Sequence, residues 1–304
     1  MNREFVRFTT KNIILNTVLV LAYLLWCYFG MKAIRNEHIW LVVIWITGYY
    51  FNETSRRFVK YFSFFIIFWI IYDGMRALPN YEVNTVHIRQ PYEIEKWLFG
   101  ISDNGKILTP NEFFALHAHK FLDFLSGFFY INWMPIPLGF GVYLFIKDKN
   151  LFLQFSAAFL LINLAGFAIY YLYPAAPPWY VARYGFDLHT GVPGSRAGLV
   201  RFDELIHYPL FKNIYNKNAN VLAAMPSLHA TYPLIVFYFS LKTKLAKIWK
   251  IIFAIFTLGI WFSAVYSNHH YLIDVIAGIM EALIILLIFD KYISPYFNHN
   301  RMKY

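Results

Sequence analysis

Long apolar stretches without a charged side chain follow one another along most of this chain. A membrane-spanning helix needs about 20 apolar residues, or fewer where polar ends extend it. Seven windows carry no charge: Asn12–Met31, His38–Asn52, Tyr61–Tyr72, Phe124–Ile146, Asn150–Ala182, Asn218–Leu241 and Ile251–Ile273. An eighth window, Val275–Phe289, carries only Glu281. The windows predict an all-α fold, a polytopic membrane helical bundle with six to eight spans. The second and third windows are short and fit tilted, re-entrant or interfacial helices.

The composition excludes the soluble alternatives. Hydrophobic residues make up 59% of the 304 residues and charged residues 14%, whereas soluble domains average about 45–50% and about 25%. A disordered chain, a coiled coil and an ordinary cytosolic enzyme are therefore excluded. The single cysteine, Cys27, excludes a disulfide framework and a CxxC metal site. The net charge of +10 does not indicate nucleic acid, because the basic residues lie between apolar runs instead of forming one stripe.

The basic residues instead predict a topology. If all eight windows cross the membrane, one side receives fifteen Lys and Arg residues and the short loops opposite receive two. The positive-inside rule predicts that the first side is cytoplasmic, and both termini then lie on that side. Two long connections, Asp73–Asp123 and Pro174–Pro226, and the turn Ser267–His270 then face the periplasm or lumen. The first apolar run lacks a clear cleavage site and is interpreted as an uncleaved anchor. Residue usage rich in Lys, Asn and Ile favours a bacterial inner membrane.

Two parts of the chain are predicted to differ in role. Residues 1–120 are expected to hold N-terminal membrane segments and an amphipathic outer connection. Its portion Pro91–Phe99 fits either the headgroup layer or a plain surface loop. Residues 121–304 are expected to form the catalytic membrane core, with an outer loop at 174–225.

Ionisable residues at membrane depth are costly and are therefore functional candidates. Two clusters, Ala224–His229 and Tyr266–Asp274, are predicted at helix starts on the same outer side. Pro226 fits a first helical turn, whose N–H groups and partial positive charge can bind phosphate. Ser227 offers a hydroxyl donor there, and His229 can handle a proton.

In the second cluster, His270 and Asp274 are four residues apart, which places them on one face of a helix. The carboxylate can fix the imidazole tautomer and leave the other nitrogen as nucleophile or base. Asn268 is predicted to be the N-cap of this helix. His269 as the reactive residue and a metal site shared by His and Asp remain alternatives, although no third metal ligand is evident. The arrangement indicates phosphoryl transfer.

These residues carry a family resemblance. Pro226-Ser-Leu-His229 and His270-Tyr-Leu-Ile-Asp274 resemble the second and third signatures of the type 2 phosphatidic acid phosphatase superfamily. The resemblance implies six core membrane helices, His270 as nucleophile, Asp274 as its orienting partner and His229 as acid and base. It implies no metal or other cofactor.

The match is closer to one branch, the fungal-type inositol phosphorylceramide synthases and their bacterial relatives. The resembling stretches are Tyr173–Trp179, Pro193–Asp203, Ala223–Ala230 and His269–Asp274, with weaker likeness at Tyr72–Arg76 and Thr109–Phe113. The branch implies transfer of phosphoinositol from phosphatidylinositol to ceramide through a phosphohistidine.

The departures from the superfamily are informative. Its third signature has an arginine where this chain has Ala264, and its first, K-x6-R-P, has no clean counterpart. Arginine suits a multiply charged phosphate, so its loss favours a phosphodiester over a phosphomonoester. Replacement substrate-binding candidates are Arg76, Arg183, Arg196 and Arg201. A lipid phosphatase or pyrophosphatase, a transferase for phosphoethanolamine or phosphocholine, and a transporter are the remaining alternatives.

Overall fold

The structure, a computed structural model, describes residues 8–215 and 220–301. The chain divides into two compact units after Leu78. The described part of the first unit consists of helices α1 (Thr10–Leu25), α2 (Asn36–Phe51), α3 (Glu53–Tyr61) and α4 (Ser63–Gly74), with a π-helical turn at Trp26–Gly30. The predicted boundary at residue 120 separates parts of different function, not compact units, and it remains a prediction.

The second unit contains the remaining helices and a small hairpin. Its helices are α5 (Arg89–Phe99), α6 (Pro110–Leu116), α7 (Lys120–Tyr130), α8 (Pro135–Lys147), α9 (Lys149–Leu172), α10 (Pro178–Tyr184), α11 (Val200–Leu205), α12 (Leu210–Tyr215), α13 (Leu228–Leu241), α14 (Lys247–Tyr266), α15 (Leu272–Ile288) and α16 (Ser294–Arg301). Strands β1 (Ile101–Asp103) and β2 (Lys106–Leu108) pair antiparallel. Asn104 and Gly105 connect them with positive φ angles, as a tight hairpin turn requires.

Helix length and apolar composition make the chain an integral membrane protein. Within the described residues, four helical stretches are long and apolar enough to span: Thr10–Gly30, Lys149–Leu172, Lys247–Tyr266 and Leu272–Phe297. Lys120–Trp133 and Pro135–Lys147, bent by 43°, qualify together as a fifth. Ser63–Gly74 and Leu228–Leu241 are shorter apolar helices. The helical membrane fold is thereby confirmed, and a core of six spans is compatible with these lengths.

The second unit is built around α13, which packs against α8, α9, α14 and α15. Aromatic rings fill the contact with α9: Phe239 lies 5.6 Å from Phe155, and Tyr232 lies 4.9 Å from Phe159, between ring centroids. The Tyr232 hydroxyl donates to Asn163 Oδ1 at 2.6 Å. Because buried polar atoms need partners where water is absent, this bond also fixes how the two helices face each other.

Three extended segments meet at the start of α13. Ala175 pairs in parallel with both His87 and Ala223, and its N–H and C=O bond Leu222 O and Ala224 N at 3.0 and 3.1 Å. The proline-rich segment Tyr173–Trp179 cannot continue α9 as a helix, because proline lacks the N–H that a helix uses. It forms instead the central strand-like support on which the Ala224 backbone rests.

Replacing Gly278 with alanine tests the close approach of α15 to the start of α13. An added Cβ there would lie 2.4 Å from the Ser227 carbonyl oxygen, and overpacking of this kind costs about 1–3 kcal/mol. We expect Gly278→Ala to lower the thermal unfolding midpoint in detergent by several degrees. Gly139→Ala in α8 is the control, because nothing lies within 4 Å of its added Cβ. Equal midpoints for the two variants would contradict the expectation.

Candidate active site

The two predicted histidines face each other across the α13–α15 contact. His229 Nδ1 lies 3.0 Å from His270 Nε2, and His270 Nδ1 lies 3.0 Å from the carbonyl oxygen of Ala224. A carbonyl only accepts hydrogen bonds, so His270 Nδ1 carries the proton. His270 Nε2 is therefore the nitrogen with the lone pair, and it accepts a hydrogen bond from His229 Nδ1–H.

Asp274 is the carboxylate of the cluster. Its Oδ2 lies 3.6 Å from His270 Nδ1 and accepts the Tyr271 N–H at 2.9 Å. The residue is 0% exposed, and its Oδ1 has no hydrogen-bond partner among the described residues. The predicted neighbours are thus brought together, with Ala224 O as the nearer acceptor for the imidazole. One detail of the prediction is wrong: α15 begins at Leu272, so His270 precedes the helix.

A tight turn links α14 to α15 and sets the direction of His270. The N–H groups of His269 and His270 both donate to Ala264 O, at 3.1 and 3.0 Å, and Asn268 has a φ of 64°. The predicted N-cap role of Asn268 is wrong, since Tyr271 occupies that position. Asn268 lies within the turn, before the helix begins. The N–H of the N-cap residue Tyr271 donates to Asp274 Oδ2.

The first cluster lies against the same turn. Ser227 is the N-cap residue and α13 begins at Leu228, so the prediction of Pro226 in the first helical turn is wrong. The Ser227 N–H donates to Asp274 O at 2.9 Å, which joins the two clusters directly. The Ser227 hydroxyl is fully buried and finds no acceptor or donor within the described part of the chain. His229 follows as the second residue of α13.

His269 is held as a structural residue. Its ring lies between Tyr130 and Tyr215, with ring centroids 5.2 and 4.5 Å away. Its Nε2 donates to the Arg196 carbonyl oxygen at 3.1 Å. Burial, with a smaller contribution from His270, lowers the pKa of His269 to about 3. A neutral, stacked and donating imidazole is not placed for attack, which favours His270 over the alternative.

Several site residues were not predicted from the sequence. The Tyr130 and Trp133 rings lie 5.3 and 4.7 Å from the His229 ring. Asn111 and Glu95 hold the backbone of the α14–α15 turn. Aromatic residues are too common in this chain to signal a role, whereas Asn111 lies in a stretch that resembles the synthase branch.

The four candidate arginines occupy different surroundings. Arg76 lies in the first unit, where its Nε donates to Asp73 Oδ1 at 3.0 Å. Arg183 stacks on the Tyr184 ring. Arg196 pairs with Asp203 at 2.7 Å, and Arg201 pairs with Asp123. Of the four, Arg196 is the one whose main chain bonds the turn between α14 and α15, through His269. Their substrate-binding role remains a prediction.

The candidate site was predicted to offer a metal only two evident ligands, one histidine and one aspartate. Among residues 8–215 and 220–301, no cluster of three or more His, Cys, Asp or Glu side chains could hold a metal ion. The residues at the candidate site therefore offer two imidazoles and one carboxylate for acid–base and nucleophilic chemistry.

Comparison with known proteins assigns the chain to a family. Residues 106–288 match the model of the PAP2 superfamily. The phosphoinositol dihydroceramide synthase of Bacteroides thetaiotaomicron is 40% identical over 282 residues, which cover 92% of each chain. The inositol phosphorylceramide synthase of Candida albicans is 29% identical over 171 residues, 53% of this chain and 36% of the relative. The inositol phosphorylceramide synthase catalytic subunit of Saccharomyces cerevisiae is 33% identical over 138 residues, 43% of this chain and 32% of the relative.

The fungal matches thus span about a third of those longer proteins, whereas the bacterial match spans nearly the whole chain. No solved structure matches the chain. The matched segment contains both histidine clusters and the turn that joins α14 to α15. The chain belongs to the PAP2 superfamily and, within it, to the family of the inositol phosphorylceramide synthases.

Proposed function

We propose that the chain is a sphingolipid synthase that transfers phosphoinositol from phosphatidylinositol to a ceramide-type acceptor through a phosphohistidine. The geometry that carries the proposal is the pair of imidazoles, with His229 Nδ1 3.0 Å from the lone-pair nitrogen of His270. The bacterial relative is a phosphoinositol dihydroceramide synthase and the fungal relatives are inositol phosphorylceramide synthases, which supports a phosphotransferase activity on lipid substrates of this class. The specific donor and acceptor, and the roles of the residues, are the proposal.

In the first half of the reaction, the hydrogen bond between His229 Nδ1 and His270 Nε2 opens, and the donor phosphate enters between the two rings near the N-terminus of α13. His270 Nε2 attacks phosphorus, and the bond from phosphorus to the diacylglycerol oxygen breaks. His229, protonated for this step, gives its proton to that oxygen. The positive charge that develops on His270 is stabilised by Ala224 O and Asp274 Oδ2, which face its Nδ1–H at 3.0 and 3.6 Å.

In the second half, the primary hydroxyl of the acceptor takes the place of diacylglycerol. His229, now neutral, removes the hydroxyl proton while the oxygen attacks phosphorus and the P–N bond to His270 breaks. Both histidines return to their starting states, so the cycle balances without an external proton. General acid–base help of this kind contributes about 10²–10⁴-fold.

A phosphodiester donor explains why the site manages without the superfamily's arginines. A diester carries one negative charge, whereas a monoester carries close to two near neutral pH. Ala264, which stands where the superfamily has arginine, is wholly buried and accepts two backbone bonds from the turn. Arg196 is the replacement that we favour, because its carbonyl oxygen is bonded to His269 and its main chain therefore adjoins the turn, while its guanidinium pairs with Asp203.

Substitution of the triad tests the chemistry. We expect His270→Ala and Asp274→Asn to lose nearly all transfer to fluorescent ceramide, and His229→Ala to lose at least about 100-fold. His189→Ala in the exposed outer loop is the control and keeps wild-type activity. Phosphatidylethanolamine and phosphatidic acid are offered in parallel tubes. Full activity in a triad variant contradicts the residue assignment, and release of phosphate from phosphatidic acid without any inositol-containing sphingolipid product contradicts the synthase.

An arginine scan tests which side chain binds the donor phosphate. We expect Arg196→Ala to raise the KM for phosphatidylinositol about tenfold, more than Arg76→Ala, Arg183→Ala or Arg201→Ala, because Arg196 adjoins the turn. Arg89→Ala, on the exposed face of α5, serves as the matched control. A KM for Arg196→Ala equal to that of the control would remove Arg196 from the site.

Labelling of single cysteines tests the orientation. In the proposed topology, both termini lie in the cytoplasm and the histidines lie toward the periplasm. In a Cys27→Ala background, Ser102→Cys on the β1–β2 hairpin should react with a membrane-impermeant maleimide on intact spheroplasts. Lys244→Cys, between α13 and α14, should react only after lysis. The reverse pattern would place the active site on the cytoplasmic side.

A further inference from the structure

A carboxylate from outside the matched family segment holds the start of α15. Glu95 is wholly buried and lies on α5, before residue 106, where the family match begins. One of its oxygens accepts the Leu272 N–H at 2.9 Å and the other accepts the Ile273 N–H at 3.0 Å. These are the first two N–H groups of the helix that carries Asp274 as its third residue.

Helix N-termini have N–H groups without intrahelical partners and a partial positive charge, so a carboxylate is stabilising there. Burial raises the pKa of Glu95 to about 7, against the lowering effect of these two bonds. A full burial of a carboxylate is costly. At this position the fold therefore places a carboxyl group that bonds the helix N-terminus, where an apolar side chain would fill the space without those bonds.

Asn111 holds the other side of the same turn. Its Nδ2 donates to Val265 O at 2.8 Å and to His270 O at 2.9 Å, so it links the end of α14 to the nucleophile's own backbone. The Tyr92 hydroxyl donates to Glu112 at 3.0 Å and ties α5 to α6. The two helices thus fix the turn at three points: residue 265, residue 270 and the pair 272–273.

We propose that Glu95 is a positioning residue for the transfer reaction, acting with Asn111 to fix the turn that aligns His270 with Asp274. The inference rests on the proposed function, in which His270 is the nucleophile and Asp274 is its partner. A rotation of the first turn of α15 changes the separation of Asp274 Oδ2 and His270 Nδ1, now 3.6 Å. Misplacement of catalytic groups by about 1 Å can cost about 100-fold in rate.

The test compares two neighbouring glutamates of α5. Glu95→Gln keeps the shape and one acceptor oxygen, whereas Glu93→Gln changes an exposed residue paired with Arg89. We expect Glu95→Gln to lower kcat about tenfold or more with KM within about twofold, and Glu93→Gln to leave both unchanged. Glu95→Ala should lower kcat further. The kinetics use whichever donor the wild type accepts, so a different headgroup does not affect the comparison.

Hydrogen exchange provides a readout that does not depend on activity. The amides of Leu272 and Ile273 should exchange faster in Glu95→Gln than in the wild type and in Glu93→Gln. Faster exchange with a wild type inactive on every donor would refute the proposed function alone. Unchanged exchange, or an unchanged kcat in Glu95→Gln, would refute the positioning role.

A double variant separates positioning from general stability. If Glu95 and Asn111 hold one turn, Glu95→Gln combined with Asn111→Ala should lose less kcat than the product of the single losses, because contacts that share a structure are not additive. If the two single losses of kcat multiply in the double variant and follow the fall in its thermal unfolding midpoint, Glu95 supports only the fold.

Discussion

Two hydrogen bonds between distant parts of the chain set the geometry of the site: Ala224 O with His270 Nδ1–H, and Asp274 O with Ser227 N–H. They join the start of α13 to the turn before α15 and to the first turn of α15. The first bond uses the main-chain carbonyl of Ala224, and the second joins main-chain groups of both clusters. Because main-chain groups cannot change rotamer, these bonds hold the backbones of the two clusters together and anchor the His270 ring, whereas the separation of the two imidazoles also depends on the His229 side chain. Gly278 makes this approach possible, since any larger residue would meet Ser227.

The surrounding structure serves the same contact. The pairing of residues 87, 175 and 223 supports the Ala224 carbonyl from one side. From the other side, Gly198 N donates to Ser267 O at 2.8 Å, and the Arg196 carbonyl accepts from His269. The Arg196–Asp203 pair keeps this outer loop in place, while Asp203 also accepts the N–H groups of Phe211 and Lys212. Segments that resemble the synthase branch thus include residues that support the backbone as well as the two histidines.

The sequence predicted the membrane class, the histidine clusters and their meeting, because these follow from composition and short-range spacing. It failed where a polar partner comes from far along the chain. Asn268 was expected to cap α15, but Glu95 and Asp274 satisfy the first N–H groups, and a partner 177 residues away leaves no local signal. The start of α13 was predicted too early for a similar reason, since the extended pairing with Ala175 continues to Ala224 and the helix begins only at Leu228. The arginines were predicted as a set, because charge alone does not indicate which of them adjoins the turn.

The enclosure of the site bears on why a superfamily named for phosphatases includes a transferase. His270 and Asp274 are 5% and 0% exposed, and aromatic rings of Tyr130 and Trp133 line the His229 side. On the proposed mechanism, a phosphohistidine formed in this buried site would meet few water molecules, whereas the hydroxyl of a ceramide-type acceptor would arrive from the lipid phase. A singly charged diester also tolerates a low dielectric better than a phosphomonoester, which would need the missing arginines for compensation. On the proposed mechanism, the exclusion of water and the loss of the arginines have the same origin, because both suit a site whose substrate is a lipid phosphodiester.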